Sequence, residues 1–231
     1  MKVTVKKILT STVLLLLLIK ASLAQEHRFN LPLDKYCKTI ISENFRSITP
    51  ARKTILDDMA HELAHKKYIL FTCKTNSRRT VLLQVWAQTA FYYYGVAGKN
   101  AFSMGDTITD VYPGAVKQLR KSGFYCIKQK NITPNQYVVS VSEQYPFNLL
   151  TSKDELGTID TAKGLLVNIC TNNEQSGIAA LKGHVTLPFQ SPAPYEKTPK
   201  EGQKYSVLNH QIAVEMLYLS KKVKEIMDSG F

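Results

Sequence analysis

Residues 71–80 read FTCKTNSRRT, so Cys73, Asn76, Ser77, Arg78, Arg79 and Thr80 crowd into one short turn behind an apolar run. A thiol becomes a strong nucleophile only when ionised, and ionisation is favoured where backbone N–H groups and the positive end of a helix dipole converge. A loop that enters from a strand and leaves into a helix supplies that field, and its amides can wrap a tetrahedral oxyanion. Cysteine pKa values in such settings fall to about 3.5–7.5. Arg79 has the planar fork that holds two phosphate oxygens and stabilises charge developing on them. This reading makes Cys73 the nucleophile and Arg79 the anion-holding cation, with Lys74, Thr75, Asn76, Ser77, Arg78 and Thr80 completing an oxyanion-binding loop. Thr80 is expected to donate its hydroxyl to the thiolate, and Asn76 to pin the loop. A strand-end cysteine can also be a small core residue. The loop has no glycine–lysine pair, so it is not a nucleotide-binding Walker loop.

A second arrangement of reactive residues is HELAH, residues 61–65. On a helix, His61 and His65 would project from one side a turn apart, and Glu62 could act as general base on a zinc-bound water. The same residues, with Asp58, form the polar stripe opposite Ile55, Leu56, Met59 and Leu63, as a solvated amphipathic face does. Lys66 and Lys67 follow at once, and no third ligand lies at a familiar spacing. The solvated face is the reading adopted.

The elements that must position Cys73 follow from pattern. Thr49 before Pro50 predicts a helix start, and an earlier helix is expected over 36–45. YILFTC (68–73) reads as a buried strand and 81–94 as a helix closed by Gly95. A further helix is expected over 113–119, strands over 137–141 and 165–170, and a long final helix carrying Tyr205, Leu208, Ile212, Leu219, Val223 and Ile226 on one face. Such alternation implies a mainly parallel α/β sheet with helices on both sides, and ligands in such sheets gather beyond the carboxyl ends of the strands, where Cys73 falls.

Of the 231 residues, the first 24 differ in kind: Lys2, Lys6 and Lys7 precede an apolar run with five consecutive leucines. They read as a signal peptide cut before Gln25, which implies an exported protein with no stable membrane insertion after cleavage. Cleavage removes four lysines and no acids, lowering the formal net charge from +12 to about +8. A basic chain favours anionic partners. No basic run interleaved with aromatics and no zinc-finger signature points to nucleic acid. Cys37, Cys73, Cys126 and Cys170 are too few and too widely spaced for a disulfide scaffold.

The loop resembles that of the low-molecular-weight protein tyrosine phosphatases and related arsenate reductases, in which C-x-x-N-x-x-R and a hydroxyl residue stand between strand and helix. It resembles in particular a bacterial branch with an added helical N-terminus, through TNSRRTVLLQVWAQTAFYYYG (75–95) and EMLYLSKKV (215–223). The resemblance implies a three-layer α/β fold around a four-stranded, mainly parallel sheet. Residues 1–24 would be the signal peptide, 25–66 a helical extension and 67–231 the phosphatase-like domain. It also implies hydrolysis of phosphotyrosine or a small aryl phosphate through a cysteinyl-phosphate, without metal or other cofactor.

Two departures bear on that implication. The family's general acid is an aspartate before proline, and PFQSPAPY (188–195) has Ser191 before Pro192. A serine cannot protonate a leaving group near neutral pH, and general acid catalysis is worth roughly 10²–10⁴-fold. Glu196 either substitutes or is an exposed surface glutamate, the second being the simpler reading. Related arsenate reductases carry a further cysteine pair, and CTNNEQSG (170–177) keeps Cys170 with Gly177 in the second place. Cys170 is thus a candidate redox partner of Cys73, with core packing at a strand end as the plainer reading; were the two paired, the enzyme would be inactive or regulated. Arsenate reduction with a thiol reductant, and an inert oxyanion-binding module, are the other functions compatible with the loop.

Overall fold

The computed structural model describes residues 29–107, 109–142, 146–149, 160, 162–171 and 184–230. The expected signal peptide and Gly177 lie outside them.

Helix α1 (Leu31–Ser42) starts where Asn30 Oδ1 accepts from Leu33 N at 3.1 Å, and it buries Leu33, Cys37 and Ile40. It begins earlier than the pattern predicts because of that cap, and it stops at Ser42 because Asn44 and Phe45 take φ of 51° and 55°, outside the right-handed helical region. Helix α2 (Pro50–Ala64) follows the expected signal: Thr49 Oγ1 accepts from Arg52 N at 3.3 Å with Pro50 at the first helical position.

Strand β1 (Tyr68–Thr75) runs straight into the loop, and helix α3 (Arg79–Tyr94) follows, ended by Gly95 in the left-handed conformation at φ 64°. Every residue of α3 from 79 to 91 is buried, as befits a helix enclosed by other layers rather than lying on the surface. Strand β2 (Asn100–Thr107) pairs in parallel with β1. Its sequence, NAFSMGDT, mixes Asn, Ser, Gly and Asp and carries no strand pattern. Helix α4 (Pro113–Lys121) leads to β3 (Tyr125–Lys128), β4 (Tyr137–Ser140) and β5 (Pro146–Leu149). Residues 137–140 are a strand as expected, but β3, β4 and β5 form a separate antiparallel sheet. The short link between β3 and β4 allows only that, because a parallel return needs a crossover of a dozen or more residues.

Strands β6 (Gly164–Asn168) and β7 (His184–Thr186) complete the main sheet, in the order β2-β1-β6-β7, all parallel. A 3₁₀ turn (Ala193–Tyr195) and helix α5 (Glu201–Asp228) end the chain. This four-stranded parallel sheet, flanked by helices and preceded by helices α1 and α2, is the three-layer α/β class expected. Alternation along β1 sends Ile69, Phe71 and Cys73 into the large core with Trp86, Phe189 and Tyr205, while Leu70 packs with Met104 and Leu166 in a smaller cluster, as the two-residue period of a strand requires. No helix among the described residues is long and apolar enough to cross a membrane.

Candidate active site

The register of β1 and β6 brings two cysteines together. Thr72 lies opposite Asn168, and Ile169 N donates to Thr72 O at 3.1 Å, extending the ladder past the end of β6. The chain then bends, because Cys170 N donates to Asn168 Oδ1 at 3.0 Å, a local side-chain turn typical of asparagine. Cys170 thereby meets Cys73, and the two form a disulfide with 5.4 Å between Cα atoms. Cys170 packs in the core, as the plainer reading has it, and is at the same time the covalent partner of Cys73, 97 positions away. The other cysteines, Cys37 and Cys126, are buried and unpaired. Burial pushes both of their thiols up to about 12, with Asp34 adding to the effect at Cys37 and Arg120 opposing it at Cys126. They stay protonated at neutral pH, which leaves Cys73 and Cys170 as the redox-competent pair.

The loop beyond Cys73 is held by buried polar side chains. Asn76 Nδ2 donates to Ser103 O at 3.1 Å, so Asn76 pins the loop as expected. Thr80 Oγ1 donates to Asn76 Oδ1 at 2.8 Å. Thr80 therefore stabilises the loop through Asn76, which corrects its expected bond to the sulfur. Ser103 Oγ in turn donates to Gln84 Oε1 at 2.6 Å, and Tyr112 N donates to Ser77 O at 2.9 Å. Gly105, which pairs with Cys73 in the sheet, makes the loop's path available: a Cβ there would lie 2.4 Å from Asn76 N. Gly105 stands outside every pattern in the sequence described above. Its one signal was an isolated glycine inside an undetected strand, a mark of close backbone approach.

Arg79 lies in the first turn of α3 and is only 7% exposed. Its Nη2 is 3.4 Å from Cys73 Sγ, and its Nη1 donates to Phe189 O at 2.6 Å. Cys73, Lys74, Thr75, Arg78, Arg79, Thr80, Ser191 and Ala193 line a pocket of about 170 Å³. That volume suits a small anion, since pockets for drug-sized ligands run from about 300 Å³ upward. The pocket joins the predicted nucleophile, cation and degenerate acid position, with Asn76 and Ser77 buried behind it.

Arg78 and Glu196 depart from expectation. Arg78 pairs with Glu196, its Nη2 donating to Oε2 at 2.8 Å, and its guanidinium lies 4.9 Å over the Tyr112 ring. Tyr205 Oη donates to Glu196 Oε1 at 2.7 Å. Burial alone would raise the Glu196 carboxyl, but the hydrogen bonds from Arg78 and Tyr205 outweigh it and hold the group below the usual carboxylate range. Glu196 is thus not a free surface glutamate; held by Arg78 and Tyr205, it is an ionised anchor for the loop. Because its folded pKa is depressed, its stabilising contribution is complete above the ordinary value of 4.5 and is lost as pH falls through the lower folded value. Glu196→Gln should lower stability by about 1–3 kcal/mol at pH 7. In urea unfolding the variant and parent midpoints should converge as the solution is acidified; a gap independent of pH would remove the carboxylate as its cause.

His61, Glu62 and His65 lie exposed along α2 and its C-cap. Among the described residues no group of three or more His, Cys, Asp or Glu side chains is placed to hold a metal ion.

No family model matches the chain, and no curated protein matches it. Solved structures of similar shape include an arsenate reductase in the oxidized state, at 14% identity and TM-score 0.44, covering 68% of this chain and 98% of that one. A mutant of YwlE from Bacillus subtilis matches at 15% and 0.45, covering 69% and 99%. An arsenate reductase in the phosphate-binding state matches at 14% and 0.41, covering 71% and 98%. At such identities and scores the likeness decides nothing about chemistry, which has to come from the loop itself.

Proposed function

We propose that this chain is an exported, thiol-based oxyanion enzyme of the low-molecular-weight tyrosine phosphatase and arsenate reductase superfamily, hydrolysing aryl phosphomonoesters in its reduced form. The observation that carries this reading is one small pocket into which Cys73, Arg79 and Ser191 all face. After reduction of the disulfide, the Cys73 thiolate attacks phosphorus, the phosphorus–oxygen bond to the aryl group breaks with its electron pair leaving on the phenolate oxygen, and Arg79 with the loop amides holds the three remaining oxygens. Water then cleaves the sulfur–phosphorus bond and restores the thiolate. Ser191 offers no acidic proton and Glu196 is bound to Arg78, so a phenolate, which leaves with little protonation, is favoured over an alkoxide.

Arsenate reduction is the second reading, favoured specifically by the Cys73–Cys170 bond. Cys73 thiolate would displace water from protonated arsenate to give a thiol ester of As(V). Cys170 thiolate would then attack Cys73 Sγ, the sulfur–arsenic electron pair would pass to arsenic, and arsenite would leave. Two thiols are oxidised to a disulfide and arsenic gains two electrons, so each turnover needs an external dithiol.

Two assays on the protein without residues 1–24, each run before and after dithiothreitol, separate the readings: hydrolysis of an activated aryl phosphate, and thioredoxin-coupled arsenate turnover. Hydrolysis absent before reduction and present after it is the expected result. Reduced protein that turns over neither compound, while binding phosphate, would be an inert anion-binding module.

A further inference from the structure

We infer that Arg52, on helix α2 of the N-terminal extension, is a positioning residue for the Arg79 guanidinium, acting through the chain segment 187–191. The inference rests on the oxyanion-site reading above. Nothing on α2 lines the Cys73 pocket, yet Arg52 reaches the segment that does. Its Nη1 donates to Pro188 O at 2.9 Å, and its guanidinium carbon lies 4.5 Å over the Phe189 ring. The next carbonyl, Phe189 O, accepts from Arg79 Nη1 at 2.6 Å. Two guanidiniums from different helices therefore hold adjacent carbonyls of one segment, and two residues further on Ser191 enters the pocket wall.

Arg52 is itself fixed. Its Nε lies 3.0 Å from both carboxylate oxygens of Glu215, which is 3% exposed and also accepts from Gln211 Nε2 at 3.0 Å. A buried ion pair is a poor way to gain stability, because desolvation offsets most of the attraction. Its position directly behind the acceptor of Arg79 gives it a different use: a rigid strut that stops Phe189 O, and with it Arg79, from drifting. Leu187 N and Phe189 N tie the same segment to Asn168 O and Ile169 O at 2.9 and 3.2 Å, the strand end that carries Cys170. An arginine that clamps an oxyanion loses its value with small displacements, and a 1 Å error can cost about 10²-fold.

The test uses reduced protein and reads protection of Cys73 from iodoacetamide by inorganic phosphate, a measurement that needs no turnover, beside kcat and KM for an aryl phosphate. Arg52→Met with Glu215→Gln removes both charges together, and Arg52 borders an open cavity of about 500 Å³, so no sealed void is left. Arg52→Lys keeps a cation for Glu215, but one ammonium cannot also serve Pro188 O and cover Phe189; it decides the matter if the double variant does not fold. The expected result is a phosphate concentration for half-protection raised roughly ten- to hundredfold in the double variant and by a smaller factor in Arg52→Lys, with kcat falling more than KM rises. Folded variants protected like the parent, while Arg79→Lys loses protection, would overturn the role of Arg52 and leave the site reading intact. Phosphate that fails to protect even the unsubstituted chain would overturn both.

Discussion

Reduced protein carrying Cys73→Ser should hydrolyse an activated aryl phosphate at least about 10⁴-fold more slowly than the parent, a loss of the size seen when a covalent nucleophile is removed, and should still bind inorganic phosphate. A serine hydroxyl at that position stays neutral at pH 7, so the attacking atom is lost while the anion's holders remain. Arg79, anchored on Phe189 O, and Asn76, anchored on Ser103 O, do not depend on the sulfur for their places. Steady-state rates in dithiothreitol, with phosphate titration by calorimetry, read both halves of the expectation. Turnover surviving the substitution would exclude a cysteinyl-phosphate, and a peptide-cleaving activity that survived it would bring back the exposed His61-Glu62-x-x-His65 group. Loss of phosphate binding along with turnover would mean that the sulfur shapes the pocket rather than reacting in it.

Cys170→Ser divides the two chemistries in the other direction. The substitution removes the sulfur that occupies Cys73 in the oxidised chain, so phosphatase activity should no longer require prior reduction and should stay within roughly threefold of the reduced parent, as expected for a change outside the reacting groups. Thioredoxin-coupled arsenate turnover should fall to background, because no second thiol remains to carry the electron pair from Cys73. The buried Cys37 and Cys126, whose thiols are raised to about 12, are poor substitutes. Sustained arsenate turnover by Cys170→Ser would sink the intramolecular relay. A Cys170→Ser chain as dependent on reductant as the parent would show that the disulfide does not gate the site.

If the chain is exported as proposed, its disulfide persists unless something reduces it, so the resting form would be the closed one and a thiol reductant would open it. The burial of Cys73 and Cys170, at 3% and 5% exposure, keeps that bond away from casual exchange, which requires access to a sulfur.

Short-range physics made much of this protein legible in its sequence. Thr49 before Pro50, Gly95 after an apolar helix and YILFTC before a polar turn each state a local backbone preference within a few residues. From them the helix start, the helix stop and the strand–loop–helix around Cys73 followed, together with the placement of Cys73 and Arg79 in one pocket and the pinning of the loop by Asn76. Tertiary structure alone decided which distant groups those residues meet. Cys170 reaches Cys73 because of the β1–β6 register, Glu196 is taken up by Arg78 and Tyr205, Gly105 clears a path for Asn76, and Arg52 of helix α2 stacks on Phe189. Spacing along the chain encodes torsions and periodicity, but pairing across 97 positions depends on how strands align and layers pack, and those choices are made by the whole core at once.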